Sequence, residues 1–190
     1  MLKIIYTLFA IPLALAGALA AGPAYAHFIP APCDFITGGG WVLGDTGAKI
    51  NFGAHGGCKN GAFWGHVNVV DHSYNPPGHL KSTRITGYLM DPALPNARDI
   101  CGEGEVTVNG SSFITRFRVR MEDNGEPGGA DRFGLHLANG YIVTTRELGP
   151  PGPTGGGGNI QLHKPNPSTT GPTPAPSEAE MCGGLGHPGN

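Results

Sequence analysis

The chain has 190 residues and a formal net charge of −2 at pH 7, with 12 Lys and Arg against 14 Asp and Glu. The missing basic excess argues against a nucleic-acid binder. Its 33 glycines and 18 prolines approach a low-complexity level, but the glycines punctuate alternating apolar runs, as turns do in an all-β protein.

Residues 1–26, MLKIIYTLFAIPLALAGALAAGPAYA, have the form of a secretory signal peptide. Lys3 gives a small positive start, an apolar stretch broken by Pro12 follows, and Ala24-Tyr25-Ala26 is an A-x-A cleavage pattern. Cleavage there makes His27 the first residue of an exported chain. The apolar run is too short and too broken for a membrane span, and no second one follows. Periplasm and cell exterior are equally compatible with this reading. Residues 27–165 fit one domain.

From there period-two runs recur and no helical period is convincing. Strands are expected near 38–44, 47–55, 62–71, 79–90, 103–109, 113–122, 132–137, 140–147 and 158–163. Residues 113–122, FITRFRVRME, are the clearest. Phe113, Phe117, Val119 and Met121 fall on one face; Ile114, Arg116, Arg118, Arg120 and Glu122 fall on the other, the pattern of a half-buried strand with a wet side. RFGLHL at 132–137 repeats it. Short links rich in Gly, Asn and Pro favour antiparallel neighbours. The expected fold is all-β, an antiparallel meander of about eight strands closed as a barrel or folded into a sandwich. Residues 166–190, rich in Pro, Gly, Ser and Thr, are expected to be a disordered tail.

The four cysteines, Cys33, Cys58, Cys101 and Cys182, form no CxxC pair, and their spacing is not that of a zinc site. An even number in an exported chain predicts two disulfides. In a meander, alternate hairpin tips share one end of the sheet. This favours Cys58–Cys101 and leaves Cys33 for Cys182; the first bridge would stabilise by roughly 4 kcal/mol on the chain-entropy model.

The stretches FITGGGW (35–41), GHVNVVDH (65–72), HLKSTRITGY (79–88), DNGEPGGADRF (123–133) and GGGGNIQLHKP (155–165) resemble the post-COAP domain family. The resemblance covers about residues 33–165. It implies an all-β domain of exported bacterial proteins and supplies no catalytic residues.

Four sets of residues are candidates for chemistry. Asp123, Glu126 and Asp131 offer oxygen ligands for calcium, although their spacing is not an EF-hand and the segment reads first of all as a hairpin loop. His72 and His79 bracket SYNPPG and would face each other across a hairpin, with His66 on the same face, within reach of one transition-metal ion. His27, as an N-terminal residue, would chelate copper through its amine and imidazole, the one route here to an enzyme, a copper-dependent oxidase of polysaccharide. Arg116, Arg118, Arg120 and Arg132, with His136, would form a basic surface stripe suited to an acidic polysaccharide, or simply a solvated face. Trp41, Trp64 and Tyr88 suit either sugar stacking or a β core. No GxSxG, HExxH or Walker pattern is present. The reading that results is a non-catalytic exported domain without cofactor, whose partner is a cell-surface protein or glycan.

Overall fold

A computed structural model describes residues 26–149 and 156–189; the candidate signal segment up to Tyr25 lies outside the described residues. Nine antiparallel strands make one sheet: β1 (Phe35–Leu43), β2 (Lys49–Lys59), β3 (Ala62–Asp71), β4 (Gly78–Asp91), β5 (Leu94–Val108), β6 (Ser111–Glu122), β7 (Arg132–Leu137), β8 (Ile142–Glu147) and β9 (Gly157–His163). Eight follow each other as a meander, and β9 returns to pair with β1, giving the order β8-β7-β6-β5-β4-β3-β2-β1-β9. The sheet curls into a half-barrel and does not close. The strands number nine rather than eight, and the architecture is neither the closed barrel nor the sandwich expected.

The curl follows from where the large apolar side chains point. Ile36, Ile50, Phe52, Ala54, Val67, Val69, Ile100, Phe117, Val119, Met121, Phe133, Leu135 and Ile160 alternate along their strands and share one buried cluster on the inner face. Phe52 of β2 stacks on Phe133 of β7, with ring centroids 3.9 Å apart, although four strands separate them in the sheet. Tyr88, fully buried, donates to Asp34 at 2.6 Å, and Arg98 donates to both oxygens of the same carboxylate. That satisfied trio plugs the inner face near the start of β1. At the seam, the backbones of β1 and β9 come very close. A Cβ on Gly40 would strike the carbonyl of Gly157, so the Gly-rich stretches 38–40 and 156–158 serve this approach rather than flexibility.

Two expectations fail outside the sheet. The cysteine pairs are Cys33–Cys58 and Cys101–Cys182, not Cys58–Cys101 and Cys33–Cys182. Cys58 belongs to the inner cluster, whereas Cys101 sits in mid-strand beside Leu89, Met181 and Cys182 on the outer face; a sheet lies between them. The segment 166–189 is not a disordered tail. Asn60 and Gly61 donate backbone hydrogen bonds to the carbonyls of Ser168 and Thr170. A short helix α1 (Glu178–Cys182) begins in a capping box formed by Ser177 and Glu180. Met181 and Cys182 are buried against β4 and β5, and Thr145 on β7's neighbour β8 donates from its backbone N–H to the carbonyl of Gly189 and from its hydroxyl to that of Pro188. The amphipathic content is slight, but a bridge and a cap suffice to hold it.

Candidate functional site

The acidic loop between β6 and β7 lies at the open seam. Asp131 is fully buried; its two oxygens accept from the N–H groups of Asn124 (2.8 Å) and Ile160 (2.7 Å). Asp123 accepts from Gly125 (3.0 Å) and Leu162 (2.7 Å), and Glu126 accepts from the Asn159 side chain at 3.1 Å. Ile160 and Leu162 are on β9, on the edge that faces away from β1. Their N–H groups would otherwise be unpaired. The carboxylates therefore stand in for a missing strand and clasp the seam. Gly125 and Gly128 both take positive φ, 97° and 82°, and a Cβ at Gly128 would collide with Asn159. Burial raises the Asp131 carboxyl above its ordinary value, and the nearby Asp123 and Glu126 push the same way against the two N–H donors. Both oxygens of Asp131 and of Asp123, and one of Glu126, are turned toward a nitrogen donor.

The histidines do not gather. His79 pairs across the ladder with Val70, not with His72, and bonds to Asn68; His72 is exposed in the turn after β3. His66 is opposite His55 and bonds to Ser82 at 3.0 Å. Among the described residues no group of three or more His, Cys, Asp or Glu is arranged to hold a metal ion.

The arginine stripe is the largest departure. Arg116 is exposed and Arg132 half-buried, but Arg118 and Arg120 are each only 1% exposed. Alternation puts them on the outer face as expected, and the chain ends then cover that face. Asp99 of β5, directly opposite Arg120 in the ladder, accepts from Arg118 at 3.0 and 2.5 Å and from Arg120 at 2.9 Å. Arg120 also donates to Asp91 at 2.9 Å. Arg118 reaches Glu178 of α1 and the carbonyl of Leu185, both at 2.7 Å. His27 enters from the other chain end: its ring meets Arg120 at 3.0 Å, and its backbone nitrogen donates to Glu178 at 3.1 Å. Burial alone would raise Asp99 and Asp91, but the hydrogen bonds and charges around them, those of Arg120 foremost for Asp99, hold both carboxyls below their ordinary values. No basic stripe is left to hold an acidic chain.

The opposite end of the sheet keeps its outer face open. His163 of β9 stacks on Phe35 of β1 with centroids 4.3 Å apart and planes 5° from parallel. Trp64 of β3 follows at 6.0 Å from Phe35, then His55 of β2 at 5.4 Å from Trp64, then His66 at 6.3 Å. All five are half-buried, so one face or edge of each ring meets solvent. The register explains the row: Phe35 is opposite both Gly57 and His163, and Gly57 is opposite Trp64, so a residue without a side chain lets two rings lean together. Thr37 holds the His163 ring at 2.9 Å, and the Trp64 indole nitrogen has no hydrogen-bond partner among the described residues. Burial, then the neighbouring His66, lowers His55 below the ordinary imidazole value. Trp41 instead lies under Lys49, whose ammonium is 4.7 Å from its ring centre, and Tyr88 is in the inner core.

A second concavity opens at the mouth of the half-barrel. Val69, Leu80, Val106, Leu137 and Tyr141 line a cavity of about 70 Å³, floored by the Tyr141 hydroxyl donating to Asp71 at 2.6 Å. It has room for a few waters and none for a sugar ring.

Of these residues, the sequence pointed to Trp64 but not to Phe35, His55 or His163 as its companions, and to Arg118 and Arg120 but not to Asp91, Asp99 or Glu178. One signal was available: Asp99 is a charged residue flanked by Ile100 and Cys101, opposite a strand with alternating arginines. No family model, curated protein or solved structure matches the chain.

Proposed function

We propose that this chain is an exported, non-catalytic β-domain that works by binding, and that its contact surface is the ring row His163–Phe35–Trp64–His55–His66 with an extracellular glycan as ligand. The observation that carries the reading is the row itself. Four strands present adjacent, half-exposed rings on a sheet face that the chain ends leave bare, while they cover the other half of that face. Flat ring surfaces on a rigid sheet suit the C–H faces of sugars, and imidazole nitrogens at their edges suit sugar hydroxyls. Two disulfides suit an oxidising compartment outside the cytoplasm. No helix among the described residues is long and apolar enough to cross a membrane. The post-COAP resemblance, with no matching family model behind it, adds only the expectation of an exported bacterial module.

The test is a panel of soluble neutral and acidic polysaccharides titrated against the protein while its tryptophan emission is followed. Trp41 and Trp64 are its two tryptophans. The expected result is a saturable change with one or more glycans, lost in Trp64→Ala and kept in Trp41→Phe. No response across the panel, or a response that survives Trp64→Ala, would overturn the assignment.

A further inference from the structure

In the covered half of the outer face carboxylates outnumber guanidinium groups. The buried network contains two guanidinium groups, Arg118 and Arg120, against three carboxylates, Asp91, Asp99 and Glu178. The His27 ring sits among both signs of charge: its Nε2 is 3.0 Å from an Arg120 nitrogen and 3.4 and 3.7 Å from the Asp91 and Asp99 carboxylates, and its Nδ1 is 3.2 Å from Glu178 Oε1. His187, 5.6 Å away between ring centroids, lies alongside and bonds its own neighbour Pro188. Three carboxylates beside two guanidinium groups are an expensive arrangement where Asp99 and both arginines are almost fully buried and only Glu178, at 29% exposure, opens much to solvent.

The remaining group that faces this network is the backbone nitrogen of His27, 3.1 Å from Glu178 Oε2. As a peptide nitrogen it is uncharged. As a chain terminus it would be an ammonium. The residue before it, Ala26, is exposed, and Ala24-Tyr25-Ala26 is an A-x-A pattern.

We propose that hydrolysis between Ala26 and His27 completes the fold: the new α-ammonium of His27 binds Glu178 at the edge of the buried cluster and adds a positive charge to face its three carboxylates. A signal-type peptidase and water carry out the step. The C–N bond of the Ala26–His27 peptide breaks, the water oxygen goes to the Ala26 carbonyl carbon, and the His27 nitrogen gains both of the water's protons, one directly and one released through solvent as the new Ala26 carboxyl group ionises. The leader's removal then acts as a latch. The first residue of the mature chain joins β4, β5 and β6 to α1, beside the backbone pairing of Phe28 with Met90 and the Cys101–Cys182 bridge. The inference rests on the exported reading above.

The experiment has two arms. The full chain is secreted from a bacterial host and its amino terminus read by mass spectrometry, with His27 expected. An amino terminus at another position would overturn the latch and leave export intact, and retention of an uncut chain in the cytoplasm would overturn both. The second arm compares the chain beginning at His27 with one carrying the single extra residue Ala26, both with their disulfides formed. One residue moves the ammonium about 3.8 Å outward, and the melting temperature is expected to fall by about 4 °C. Glu178→Gln should erase that difference. If the Glu178 variant does not fold, α-acetylation of the His27-start chain serves instead and should reproduce the loss. Equal melting temperatures for the two chain starts would overturn the proposal.

Discussion

On the inner face of β6, Phe117, Val119 and Met121 pack among aliphatic and aromatic side chains from both ends of the sheet; on its outer face, Arg118, Arg120 and Glu122 are just as dry. The inner face is held by area removed from water, which is tolerant of detail. The outer face is held by a network that must be nearly complete, because each member left unpaired keeps its desolvation cost without its partner. The comparison explains why the chain ends are attached so firmly. A sheet face that carries buried guanidinium groups needs a cover whose groups match them, and Glu178, Leu185 and His27 provide it.

The strongest way to break the comparison is to remove the cover. Deleting residues 172–190 takes away Glu178, the packing of Met181 and the Cys101–Cys182 bridge, whose ends are 81 residues apart. The bridge alone is worth about 4–5 kcal/mol on the chain-entropy model, so the truncated protein is expected to unfold at much lower urea or not to fold. A truncation with an unchanged urea midpoint would show that the outer face tolerates water.

Single substitutions sharpen it. Phe117→Ala should cost about 3–5 kcal/mol through the cavity it leaves. Arg118→Ala should cost a similar 3–5 kcal/mol, because Asp99 and Glu178 lose their donor in a buried site. A solvated arginine on a wet strand face would cost well under 1 kcal/mol, so urea midpoints of the two variants decide whether the outer face is a second interior.

Acid separates the faces further. Asp99 and Asp91 have carboxyl groups held below their ordinary values. A depressed carboxylate contributes stability that is fully present above its unfolded value of about 4 and is lost as pH falls through the folded value. The urea midpoint should therefore fall below about pH 4, and Asp99→Asn should flatten that fall while lowering stability at pH 7. Phe117→Ala should lower the whole curve and leave its slope alone.

The strand alternation was legible in the sequence almost residue by residue. Phe117, Val119 and Met121 face one way and Arg118, Arg120 and Glu122 the other, as period two requires. Exposure was not legible, because it depends on what lies over a face, and the cover comes from residues 27–28 and 176–188, far away in the chain and poor in apolar residues. The cysteines failed for the same reason. Had the strand containing Cys101 been extended back to Leu94, alternation with Ile100 and Val106 would have put Cys101 on the outer face, away from Cys58. In the ring row, Trp64 was visible by its type, but its neighbours Phe35 and His55 are set by cross-strand register through Gly57, which a single sequence does not reveal.

The acidic loop is the smallest and most local test, since it concerns an edge rather than a face. Asp131 offers one oxygen to the N–H of Asn124 and the other to that of Ile160, and Asp123 does the same for Gly125 and Leu162. An amide in either place keeps one acceptor and turns an NH₂ toward a backbone N–H, two donors facing each other. Asp131→Asn should cost about 1–2 kcal/mol and the less buried Asp123→Asn about 1 kcal/mol, in the range for a hydrogen bond lost at a partly buried donor. With its clasp weakened, β9 presents an unpaired edge, so Asp131→Asn should also raise the fraction of dimer or larger species in size-exclusion chromatography. Melting the parent in EDTA and in millimolar calcium checks the alternative role. A bound ion at a hundredfold excess over its dissociation constant would add about 2.7 kcal/mol, a shift of several degrees. The expected shift is within about a degree, because the Asp123 and Asp131 oxygens are already committed to N–H groups of the loop and of β9; a larger shift, abolished by Asp131→Asn, would make the seam a metal site.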